Sequence, residues 1–222
     1  MLAAYVLLAY LLLPFEWLRR ERAADAILPP MVTQTAQGIP GDPLNIGVAG
    51  SQAELLEAMK AAGWSPADPV TLRSSLEIAG SVVLDRPYRD APVSALFYEG
   101  KREALAFEKL EGSSADRRHH VRFWKLDKTG ENDRPFWLGA VTFDRGVGFS
   151  RYTGQITHHI APDIDAERDA LVASLTAAGM VQKSCVMPGR GATQRALNGE
   201  GDPYFTDGEI RVVVLKVALP SR

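Results

Sequence analysis

Two residue types are nearly missing from this chain of 222 residues. Cysteine occurs once, at Cys185. A single cysteine excludes an intramolecular disulfide and any cysteine-rich metal centre, and it agrees with a reducing compartment. Histidine occurs four times, in two adjacent pairs. An excess of one charge is missing too: 25 basic residues face 27 acidic ones, for a net charge of −2. No overall basic field therefore draws the chain to nucleic acid, and no RNP, zinc-finger or basic-zipper pattern occurs in it. GxGxxG, Walker, HExxH and GxSxG signatures are absent as well, which excludes the named nucleotide, zincin and hydrolase-elbow sites. What remains is ordinary for a folded domain: 46% hydrophobic and 23% charged residues. Such a core stands without disulfide or zinc staples. Cys185, in the apolar stretch "VQKSCVMPG", reads as a small core residue.

The long apolar run is at the start. "LAAYVLLAYLLLPFEWL" covers Leu2 to Leu18 and is uncharged until Glu16. As a helix it reaches roughly 25 Å, slightly short of a hydrocarbon core of about 30 Å. Trp17 suits an interface, and Arg19, Arg20 and Arg22 suit headgroups. A cleaved signal peptide would carry its positive charge before the run, and here "RRER" follows it. The expectation is an uncleaved single-pass transmembrane helix over residues 1–22. The positive-inside bias then places the domain on the cytoplasmic side of the inner membrane. Residues 23–42 read as a linker, since "LPP" and "QGIPGDP", which runs on to Pro43, carry four prolines and two glycines.

Residues 43–222 read as one α+β domain. "LNIGVAG" is a buried strand, and "SQAELLEAMKAAGW" a helix opened by a Ser51/Glu54 capping box and stopped by Gly63. "VSALFYEG", "EALAFEKL", "HHVRFWKL" and "FWLGAVTFD" are β-prone runs, with "DKTGENDRP" as a hairpin loop between the last two. A glycine-marked turn in "DRGVGFSRYTGQITHHI" leads to another strand. "DIDAERDALVASLTAAGM" is the second principal helix, ended by Gly179. "PGRGATQRALNGEGDP" is a polar loop, read as a disordered tip or a mobile lid. "IRVVVLKVAL" is a last buried strand. The sum is an antiparallel or mixed sheet of about six to eight strands with two principal helices behind a membrane anchor.

Chemistry concentrates in "RHHVRFW" and "TGQITHHIAPDIDAERD". Adjacent strand residues point to opposite faces, so neither histidine pair chelates one ion by itself. His119 shares a face with Val121 and Phe123, and His120 with Arg118, Arg122 and Trp124. His158 shares a face with Ile160, and His159 with Thr157. The simplest pairing sends His119 and His158 to the core and leaves His120 and His159 on a polar face.

Three readings stay open. One is an acid–base or metal site drawn from His119, His120, His158, His159, Asp163, Asp165 and Glu167. A divalent metal would be held there by His119, His158, Asp165 and Glu167. The second is an anion site on Arg118, Arg122 and Arg168. The third is structural: Asp163 or Asp165 caps the second helix, and Arg168 pairs with one of the acids.

"GDPLNIGVAGS", "RPYRDAPVSALFYEG", "RHHVRFW", "DRGVGFS", "TGQITHHIAPDIDAERD" and "YFTDG" together resemble the LssY C-terminal domain family, over roughly Met31 to Leu219. The resemblance implies a bacterial, membrane-associated domain, found alone or with DedA-type and PAP2-type membrane modules. It supplies no reaction. Many members carry a glutamine–aspartate pair before "LAFE", where this chain has Glu103 and Ala104. The leading expectation is a membrane-anchored accessory or binding module in lipid or envelope processes. The alternative is a metal-assisted hydrolase of a lipid-linked phosphate.

Overall fold

The computed structural model describes residues 2–16, 31–67, 95–112, 117–130, 133–187, 191–192 and 194–217. Trp17, Arg19, Arg20, Arg22, Ser113 and Ser114 lie outside the described residues. The fold is β-rich, with several sheets and three helices. In chain order the elements are α1 (residues 2–16, with a π-helical turn over Leu8–Leu12), β1 (Val32–Gln34), β2 (Pro40–Pro43), β3 (Ile46–Ala49), α2 (Gln52–Ala61), β4 (Ser65–Pro66), β5 (Phe97–Tyr98) and β6 (Lys101–Arg102). Then follow β7 (Leu105–Leu110), β8 (Arg118–Thr129), β9 (Pro135–Phe149), β10 (Ile156–Ile160), α3 (Ile164–Ala177), β11 (Val181–Met187), β12 (Arg195–Leu197), β13 (Pro203–Phe205) and β14 (Ile210–Leu215).

Eight strands make the main sheet, ordered β11-β14-β3-β9-β8-β7-β4, with β10 attached to β9. It is mixed: β14 and β3 run parallel, and the other pairs are antiparallel. Strand alternation divides its side chains between two covers. Val121 and Phe123 of β8, Trp137 and Val141 of β9, and Val213 and Leu215 of β14 pack under Leu55 and Met59 of α2 and Leu171 and Leu175 of α3. On the other face Trp124, Leu138, Ala140 and Val212 pack with Leu44 and Leu96. A small sheet, β2-β1-β5-β6, belongs to that second cover. Burial on both faces makes Phe123, Trp124 and Trp137 core residues.

Both helix readings hold. Ser51 Oγ accepts from Glu54 N–H at 3.2 Å while a Glu54 carboxylate oxygen accepts from Ser51 N–H at 2.7 Å. The two helices stop alike. Gly63 and Gly179 adopt φ of +80° and +75°, which a residue with a Cβ adopts only under strain. In each case the next N–H reaches back to a carbonyl five residues earlier, Trp64 to Met59 and Met180 to Leu175.

Three expectations change. Residues 31–42 are not linker: they belong to the β1–β2 hairpin, and Thr33 and Asp42 are buried. The glycine-marked turn of "DRGVGFSRYTGQITHHI" falls at residues 150–155, where Gly154 has a φ of +68°, and "DRGVGF" before it continues β9. "ATQRALNGEGDP" is not a loose tip: β12 and β13 pair across it, and Asn198 and Asp202 are buried. Cys185 is exposed on the edge strand β11 instead of filling core.

The N-terminal run is helical, but the spanning expectation is not supported. Among the described residues no helix is long and apolar enough to cross a membrane. Instead α1 rests on the β9–β10 hairpin. Tyr5 Oη–H donates to the Gly154 carbonyl at 2.9 Å, and Gln155 Nε2–H donates to the Ala9 carbonyl at 2.9 Å. The Tyr5 ring meets Phe149 edge-on. Ala9 is buried by this contact, whereas Leu2, Leu8, Leu11, Leu12 and Phe15 stay exposed.

Candidate functional site

β8 and β10 attach to opposite edges of β9, and their polar side chains converge across it. β3 pairs with β9 at residues 136–139, and β10 pairs with it at 144–149, along the same edge. Between them Asn45 extends the ladder with its side chain: Nδ2–H donates to the Val141 carbonyl and Oδ1 accepts from Val141 N–H. A second Nδ2 donation reaches the Ile164 carbonyl and fixes the start of α3.

On the sheet face turned from the helices, Arg118 is fully buried. Its Nε donates to Asp144 at 3.1 Å and its Nη1 to Glu108 at 2.8 Å, while Nη2 meets His158 Nε2 at 3.3 Å. A guanidinium only donates, so His158 Nε2 accepts and its proton sits on Nδ1. Burial, seconded by Arg118 and Arg122 against the opposing pull of Asp144, pushes the His158 imidazole down to about 4. His120 is pushed well below its usual value by burial and then by Arg122 and Arg118. Both rings are neutral at physiological pH. Arg122 donates to Asp42 at 2.6 Å. Burial raises Asp42 despite that partner.

His120, Arg122, Asp42, Asp144 and His158, with Asn198 and Glu200 from the β12–β13 turn and Tyr10 from α1, line a cavity of roughly 290 Å³. Glu200 is held above the usual carboxylate range, by burial first. His159 belongs to an adjoining clamp. Its Nδ1 lies 2.9 and 3.0 Å from the two carboxylate oxygens of Asp202, which also accepts from Ile160 N–H. Gly148 makes room for that ring: a Cβ there would come within 2.7 Å of His159 Nε2.

The other face tells a different story. His119 Nδ1 lies 2.7 Å from Glu167 of α3, and the ring packs between Trp64 and Phe143. The Glu167 hydrogen bond raises its pKa above the ordinary value, against burial. His119 therefore clamps helix to sheet. Asp163 caps α3, accepting from Ala166 N–H at 3.1 Å. Arg168 is buried and held by Asp207 through two 2.9 Å hydrogen bonds, and by Asp165 and Asp169. Asp165 also accepts from the Thr206 hydroxyl at 2.8 Å.

The expected pairing of His119 with His158 is therefore overturned. His158 does share its face with Ile160, as alternation requires, but Ile160 enters a separate cluster with Tyr204 and Ala192. A sheet buried on both faces gives an apolar neighbour no power to say which core it faces. The set His119, His158, Asp165 and Glu167 does not converge. Among the described residues no group of three or more histidines, cysteines and acids is arranged to hold a metal ion. The anion set does not converge either, since Arg118 and Arg122 bind carboxylates on one face and Arg168 binds its own on α3.

Sequence reasoning missed Asp42, Asp144, Asn198, Glu200 and Asp202. Their signal was faint: Asp42, Asn198, Glu200 and Asp202 sit in the glycine-rich "PGDP" and "NGEGDP", stretches that read as linker and loose tip, and Asp144 is a lone acid in the strand "FWLGAVTFD". Glu103 accepts from Leu96 N–H, which accounts for it structurally. No curated protein and no solved structure matches this chain. A family model does, the one described as the LssY C-terminus. It covers residues 26–210, most of the chain and all the elements that build the cavity except α1, so the protein belongs to that family.

Proposed function

We propose that this protein is a membrane-associated binding module, with α1 lying along a bilayer surface and the polar cavity beneath it. The observation that carries this reading is the split character of α1. Tyr5, Ala9 and Gln155 hold one side to the domain, while Leu8, Leu11, Leu12 and Phe15 remain 50% or more exposed on the other. Phe149 and Tyr152, beside the docking site, are exposed too. An apolar stripe backed by a polar body is the pattern of a helix that lies in the headgroup region rather than crossing. Arg19, Arg20 and Arg22 follow it in sequence. They suit the anionic cytoplasmic leaflet, which supports a place on the inner membrane's cytoplasmic side. DedA-type and PAP2-type membrane proteins are the partners the family suggests.

Flotation of the full chain with anionic lipid vesicles tests this. The protein should rise with the vesicles, and Leu8→Glu with Leu11→Glu should cut the bound fraction at least tenfold while leaving the fold intact by circular dichroism. A chain that stays below the vesicles, or a double variant that floats equally well, would sink the reading.

A further inference from the structure

We infer that the cavity under α1 is a binding site for a hydroxyl-bearing ligand, gripped by His120 and Glu200. The first ground is two buried polar atoms without partners. His120 is 2% exposed, and its Nε2 has no hydrogen-bond partner among the described residues. The second Glu200 carboxylate oxygen, Oε2, is likewise buried and unmatched. Both residues line the same cavity. Around them Arg118 holds Asp144, Arg122 holds Asp42, and Asp202 holds His159. A folded protein leaves buried polar atoms unmatched at a cost of about 1–3 kcal/mol each, which is tolerated where a ligand completes the set.

The second ground is the chemistry of the two orphans. Arg122 is the arginine of the lining and holds Asp42, while Asp42, Asp144 and Glu200 crowd the same space with acids, so it is not built to recruit a phosphate. The nearest charged acceptor to His120 is Asp144, 3.9 Å from Nδ1. With the proton on Nδ1, toward that anion, Nε2 keeps an unmatched lone pair in a residue that lines the cavity. Glu200 Oε2 brings a second unmatched lone pair to the same space. Two buried atoms without partners match a ligand rich in hydroxyl groups, each of which donates to one acceptor and accepts in turn. The volume, roughly 290 Å³, suits a small polyol. Tyr10 and Gln155 at the α1 side would let the hydroxyls come from a lipid headgroup or from solution.

The test uses the full chain with ¹⁵N-labelled histidine, in detergent for glycerol and myo-inositol, and in nanodiscs of phosphatidylglycerol or phosphatidylcholine. A saturable shift of the His120 ring nitrogens with a free polyol supports the site and a soluble source. A shift in phosphatidylglycerol discs but not phosphatidylcholine discs supports the site and a headgroup source. Glu200→Gln should then weaken binding at least fivefold, with His119 and His159 signals unmoved. No saturable change with any of the four probes would mean that the cavity holds water only and would overturn the inference. So would an equal shift in both kinds of disc without a response to polyols. The site does not depend on the membrane reading: a glycerol response in a protein that fails to float removes that reading and keeps this one.

Discussion

At the scale of single residues, the four histidines have three different occupations. His119 is a helix clamp whose charged form is favoured by Glu167, so its folded pKa is raised. The linkage sign follows: its stabilisation is full below the ordinary histidine value and is lost as pH rises through the raised one. Urea unfolding of wild type and Glu167→Gln should therefore differ most near pH 6 and converge toward pH 9; a gap independent of pH would refute the clamp. His159 depends on a neighbour with no side chain. Gly148→Ala puts a Cβ against the ring, displaces it and takes from the buried Asp202 its histidine partner, leaving it the Ile160 amide. A loss of about 2 kcal/mol is expected in the same assay, from the buried acid's lost hydrogen bond. An Ala variant as stable as wild type would show that the ring has room to move.

At the scale of elements, the junction of α2 with the sheet rests on Glu54. Its carboxylate serves the Ser51 amide and the Arg134 guanidinium, and Arg134 in turn donates to the Leu215 carbonyl at 2.6 Å. Burial acts to raise the Glu54 pKa, but the hydrogen bonds from Ser51 and Arg134 outweigh it and leave it lowered. A lowered carboxyl stabilises above its ordinary value and loses that contribution as pH falls through the depressed one. Glu54→Ala should cost about 1–2 kcal/mol at pH 7 by thermal or urea unfolding, and less toward pH 3. An undiminished difference at pH 3 would deny the ionised cap. The same scale explains the surface position of Cys185. β11 pairs only with β14 and forms the edge of the main sheet, so its alternation has little to face among the described residues.

At the scale of the whole molecule, the buried histidines set the acid limit of the fold. His158 falls from 6.5 to about 4 on folding, so between these values the unfolded chain binds the proton first. Stability then drops as pH falls from about 6.5 to about 4, by roughly 3 kcal/mol from this residue. His158→Gln should flatten that part of the pH–stability curve. A slope unchanged by the substitution would assign acid sensitivity elsewhere. His120 acts in the same direction.

Local order was legible. The Ser51/Glu54 box, the glycine stops at Gly63 and Gly179, the Asp163 cap and the strand parity of "RHHVRFW" depend on neighbours within one turn or one strand, and those interactions are written in adjacent letters. The cavity was not, because it is assembled from β2, β8, β9, β10, α1 and the β12–β13 turn, whose pairing no local pattern encodes. Asp42 and Asp202 looked like turn residues because glycine and proline flank them, and only long-range packing buries them.

The sequence by itself determined membership of the family, the two-helix frame and the opposite faces of His119 and His120, since composition and period act over short distances. Tertiary structure alone decided which face His158 shares, that α1 rests on the domain, and that His120 and Glu200 meet one space. A sheet covered on both sides has two interiors, and only the fold says which side chain enters which.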